Sequence, residues 1–179
     1  MTHSSKTIIA LFSCLLAACA QTTKPFTTTT QAASADASLV TESRDASIAY
    51  IGTANFVVGR VGRDCLSLVG RSDSPQSLVA TWQKRNEKYW LATHKYLEAR
   101  LAHAEKAGGL EKRNAVVREL TAAVQGGAPS AVKKWLDKPD KTAACKRALA
   151  IIESGAYDFS PTSPMFAELE SLVAWAEKQ

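Results

Sequence analysis

Residues 72–106 read SDSPQSLVATWQKRNEKYWLATHKYLEARLAHAEK, and this stretch decides the fold. Ser74 suits a helix N-cap and Pro75 the first helical position, where a missing N–H costs nothing. Leu78, Val79, Trp82, Tyr89, Trp90, Tyr96, Leu97 and Leu101 then recur near heptad spacing, with Asn86 the one polar exception. Gly108-Gly109 ends the run. The pattern predicts one long helix over 75–106. Its apolar stripe is too long to bury against itself, so further helices must cover it.

Flanking segments supply them. Residues 48–69 carry Gly52, Asn55, Gly59, Gly62 and Leu66 at intervals of three or four. On a helix these share one face, and small residues there let a neighbour approach closely. Each interior glycine costs about 1 kcal/mol against alanine. Phe56-Val57-Val58 and Leu66-Ser67-Leu68-Val69 also fit short strands, so both readings stand for this segment. A third helix is expected over 110–125, with Val116, Val117, Leu120 and Val124 inward and Gly126-Gly127 behind it. Pro129 would open a short fourth helix over 130–136. Pro139-Asp140 would start a fifth, over 140–154, and Ser163-Pro164 a last one over 164–177. The expected architecture is all-α, an irregular bundle of five or six helices over residues 48–179.

The N-terminus has a different character. Lys6 precedes an apolar run over 8–16, which closes on Leu16-Ala17-Ala18-Cys19. The run is well short of the ~20 residues that span a bilayer. This leader, with small residues before a cysteine, resembles the signal peptide and lipobox of bacterial lipoprotein precursors. The resemblance implies removal of residues 1–18 and lipid on the Cys19 thiol, so that Cys19 anchors the protein to membrane. Ala20 follows the cysteine in place of an inner-membrane retention aspartate. By that analogy the address is the periplasmic side of the outer membrane, another envelope membrane being the alternative. Residues 19–47 are rich in Thr, Ser and Ala, with little bulky apolar content. They read as a flexible tether.

Cysteine parity then follows. Cys14 leaves with the leader and Cys19 is lipidated, which leaves Cys65 and Cys145 in an oxidising compartment where disulfides persist. Their pairing is expected; two buried free thiols are the alternative. Loss of the leader removes Lys6 and no acid, lowering the formal charge from +5 to +4. Basic residues come in small groups, among them Lys84 with Arg85 and Lys88, Lys133 with Lys134, and Lys146 with Arg147. Interspersed acids make these a solvated mixed surface, or a contact for an anionic envelope component or acidic partner. That compartment excludes nucleic acid. The oligomeric state has no signature in the sequence.

A search for chemistry returns little. His94 and His103 are nine apart on one expected helix, on opposite sides of it, so they do not jointly bind a metal. Zinc spacings and a Gly-x-Ser-x-Gly elbow are missing, and the 59–63 run lacks the lysine of a phosphate loop. No catalytic residue, metal site or cofactor is expected. Trp82, Tyr89 and Tyr96 repeat every seven residues, mostly as core, and Trp90 adjoins them. Trp90, Tyr89 and Trp82 are the candidates for a partner-binding surface, because Trp and Tyr are enriched in hot spots. The expected function is that of an envelope-anchored, non-catalytic lipoprotein that binds a protein partner or plays a structural role. One alternative is an immunity or inhibitor protein acting on a toxin or wall hydrolase. The other is an enzyme acting on peptidoglycan or lipid, which would need a deep polar cleft with convergent acids.

Overall fold

Thr41 opens the first helix: its hydroxyl oxygen accepts the Arg44 amide hydrogen at 3.2 Å. Helix α1 (Glu42–Cys65) follows, with Glu42 and Asp45 at its electropositive end. The computed structural model describes residues 39–179. The leader, Cys19 and most of the expected tether lie outside these residues. The helix begins at Glu42 rather than at 48, because the cap and acidic first turn sit within the Thr/Ser/Ala-rich composition that reads as a tether.

Segment 48–69 resolves in favour of helix up to Cys65, followed by a 3-10 turn over Ser67–Val69. Its glycines are used for close approach. A Cβ on Gly62 would stand 3.1 Å from the Pro75 backbone, and one on Gly52 would stand 2.7 Å from Val124. Two neighbours therefore pack on one small-residue face, and Asn55 on that face accepts a hydrogen bond from Gln83 at 2.8 Å.

The expected single helix over 75–106 is interrupted. Ser74 caps α2 (Pro75–Arg85) by accepting the Ser77 amide hydrogen at 3.1 Å. The helix then stops at Asn86 (φ −103°, ψ 25°), and α3 (Glu87–Leu136) starts beside it. Asn86 is 2% exposed, and its side chain explains the break. Nδ2 donates to the Trp82 carbonyl at 2.9 Å and to Asp158 at 3.1 Å, while Oδ1 accepts the Phe159 amide hydrogen at 2.8 Å. A distant loop is thereby tied to the helix junction.

Helix α3 reverses at Gly108-Gly109, where Gly109 has φ 64°, and its two arms fold back on each other. Arg113 on the second arm meets Glu105 on the first at 3.5 Å. The break expected at Gly126-Gly127 does not occur, and no separate helix over 130–136 forms. The second arm runs unbroken to Leu136 through Pro129. Packing overrides propensity there: Ala128 is fully buried, and Ala131, Val132, Trp135 and Leu136 press on the core. Helix α4 (Lys141–Glu153) starts under an Asp140 cap to the Ala143 amide at 2.8 Å. Helix α5 (Phe166–Ala176) begins just after the expected Pro164 start, behind Met165 in left-handed geometry.

Over the described residues the fold is an all-α bundle of five helices with α1 as its axis. Val57, Val58, Val61, Trp82, Leu149 and Ile152 fill one half of the core. Ile51, Tyr89, Tyr96, Leu169 and Leu172 fill the other. Phe159 joins the halves, edge-on to Trp82 at 5.5 Å and to Tyr89 at 5.2 Å. Cys65 and Cys145 lie at disulfide distance, Cα atoms 5.1 Å apart, linking the end of α1 to α4.

Candidate binding groove

The two arms of α3 do not close completely over α1. Between the three helices runs a groove of about 470 Å³. Its floor is Ile48, Ala49, Gly52 and Phe56 of α1. One wall is Trp90, Leu97 and Leu101 of the first arm; the other is Val117, Leu120 and Val124 of the second. From Trp90 to Leu101 the wall extends about 16 Å at the helical rise.

Three properties define what this groove accepts. First, no charged side chain is among its lining residues. Second, two of its few polar groups are already engaged: Asn55 with Gln83 at 2.8 Å, and Thr93 with the Tyr89 carbonyl at 2.9 Å. A polar ligand would therefore lose hydration for little return. Third, both walls keep a seven-residue apolar rhythm. Trp90, Leu97 and Ala104 recur on the first arm, and Leu110, Val117 and Val124 on the second. Val117 is 43% exposed and Leu110 62%, so the second rhythm continues outward as an uncovered apolar stripe.

The aromatic candidates divide. Trp82 is wholly buried, and its Nε1 donates to the Tyr157 carbonyl at 3.3 Å. Tyr89 is 4% exposed, and its hydroxyl bonds Glu170, which also pairs with Lys88 at 2.7 Å. Those two donors hold the Glu170 carboxyl below the usual carboxylate range. Only Trp90 of the three lines the groove; it is half-buried, with His94 edge-on to its ring at 4.9 Å. Sequence reasoning assigned Val117 to the core and so missed the second wall. The signal was available in the heptad repeat of Leu110, Val117 and Val124, which lacks a matching buried partner.

The polar hollows have a different character. One of about 220 Å³ contains Asp73 and Glu153, but both carboxylates pair with Arg71. Another contains Asp158, which Arg85 holds at 2.7 Å. Among the described residues there is no group of three or more His, Cys, Asp or Glu placed to hold a metal ion. No described helix is long and apolar enough to cross a membrane. In comparisons with known proteins, the chain matches no family model, no curated protein and no solved structure.

Proposed function

We propose that this chain is a lipid-anchored binding module of the bacterial envelope, non-catalytic, whose groove receives the apolar face of an amphipathic helix from a partner protein. The observation that carries the reading is the uncharged groove with heptad-spaced apolar residues on both walls. Such spacing suits a helix laid along the seam, its anchors three or four residues apart. The small floor residues Ala49 and Gly52 give that helix room. The lipobox at residues 16–19 supplies the membrane anchor and the address.

The test has two arms. Metabolic labelling with a fatty-acid probe should mark the wild-type chain and not Cys19→Ser. A photo-crosslinking residue at Thr121, exposed in the groove, should trap a discrete protein in the envelope, and Val117→Asp should abolish the adduct without lowering the melting temperature. A missing label sinks the anchor. An adduct with lipid alone, or one indifferent to Val117→Asp, sinks the helix-binding role.

A further inference from the structure

The chain's charge is unevenly placed. Residues 133–147 hold six basic side chains and two acids, a net of +4 within a chain of +5, so the remainder is close to neutral. The segment covers the end of α3, the following turn and the first half of α4. Asp137 faces Lys133 at 3.8 Å and Lys141 at 3.5 Å. Lys134, Lys138 and Arg147 have no carboxylate partner among the described residues. All three line one hollow of about 240 Å³, together with the apolar Trp135, Ala148 and Ile151.

Local helix chemistry explains part of this. Lys133 and Lys134 sit in the last turn of α3, where the carbonyl end of a helix favours cations. Lys141 donates to the Leu136 carbonyl at 3.2 Å. Nothing comparable accounts for Lys138 in the turn or Arg147 on α4.

We infer that this basic end docks on an anionic phospholipid surface, with Lys134, Lys138 and Arg147 receiving lipid phosphate oxygens around the apolar hollow. The inference rests on the anchored reading above, because the anchor decides which anion is met. The Cys65–Cys145 bridge puts the basic end at the far end of α1 from Glu42. Helix α1 is about 36 Å long at the helical rise. Twenty peptide units join Cys19 to Leu39, and they span at most about 70 Å in any conformation. The basic end can therefore reach the leaflet that holds the anchor. An anionic leaflet is then permanently near, so modest attraction per charge acts at high effective concentration. An acidic protein would have to be recruited.

The experiment uses the mature chain, residues 19–179 with Cys19→Ser, which lacks both leader and lipid, and co-sedimentation with vesicles. Vesicles of mixed phosphatidylglycerol and phosphatidylcholine should bind it, and phosphatidylcholine alone should not. Binding should fade between about 0.1 and 1 M salt, as the screening length falls from ~10 to ~3 Å. Each cation at an anionic surface contributes about fivefold, so Lys134→Gln/Lys138→Gln/Arg147→Gln should lose on the order of a hundredfold. Lys112→Gln/Arg118→Gln/Lys178→Gln removes equal charge elsewhere and should stay within a few-fold of the parent. Circular dichroism melts establish that both variants fold. Equal binding to neutral vesicles, equal loss in the two variants, or binding of polyglutamate without binding of anionic vesicles would overturn the inference. Vesicle failure beside a normal fatty-acid label on wild-type Cys19 counts against the docking alone. A missing label beside normal vesicle binding counts against the anchor alone.

Discussion

Asn86→Ala tests whether one buried amide holds the helix junction to the 155–160 loop. Three hydrogen bonds disappear, but the losses are unequal. The Trp82 carbonyl keeps the Asn86 backbone N–H at 3.1 Å, and Asp158 keeps Arg85 at 2.7 Å. Only the Phe159 N–H is left without a partner, at a cost of about 1–3 kcal/mol. Alanine recovers roughly half a kcal/mol by favouring continuation of α2 into α3. The net expectation is about 1.5 kcal/mol of destabilisation, a drop in melting temperature of roughly 4–8 °C for a domain of this size. Urea unfolding gives the stability, and hydrogen exchange at Phe159 gives the location. Asn86→Asp is the companion: it retains an acceptor for Phe159 but sets a second carboxylate against Asp158, so its penalty should ease in acid. The reasoning fails if Asn86→Ala is neutral or stabilising with Phe159 still protected. The loop would then be held by the Arg85–Asp158 pair and the Phe159 ring contacts alone.

Reducing Cys65–Cys145, or replacing both with Ala, should lower stability by up to about 4.5 kcal/mol, the loop-closure value for a separation of 80 residues; thermal melts with and without reductant measure it, and no change would show that the bond constrains nothing. Trp90→Ala should cost about 1 kcal/mol of stability, because the ring is only half-buried, yet about 2 kcal/mol or more of partner affinity; titration against the trapped partner reads both. Stability should fall as pH rises through about 10 to 12. Burial raises the Tyr157 hydroxyl to about 12 and shifts Tyr96 upward as well, so both contribute stability fully below their unfolded value near 10 and lose it above. Urea midpoints between pH 9 and 12 test this, and Tyr157→Phe should flatten the slope.

Local signals located most of the helices. The Ser74-Pro75 and Asp140 caps stand where their chemistry places them. What local signals missed was tertiary. Asn86 reads as one polar flaw in a heptad, and only its partners at 158 and 159 turn it into a junction. Gly126-Gly127 and Pro129 read as a stop, yet the packing of Ala128 and Trp135 carries the helix through them. For the site, Trp90 was legible as an aromatic out of phase with its neighbours. The opposite wall was legible only in part: the heptad repeat of Leu110, Val117 and Val124 marks an apolar stripe, but Val117 and Leu120 have the same pattern whether they are buried or facing an open seam.

Tension has a short route through this molecule. A pull on the chain ahead of Glu42 enters α1 along its axis and reaches Cys65, where the covalent link passes it directly to α4. The residues between the two cysteines, which include α2 and both arms of α3, lie outside that load path. Strain between the N-terminal side and the C-terminal helices is therefore carried past the groove instead of through it. A separation of 80 residues keeps about 270 Å of contour out of any extension while the bond is intact. A module pulled from its N-terminal side would keep its groove in shape, and a reducing environment would remove that protection.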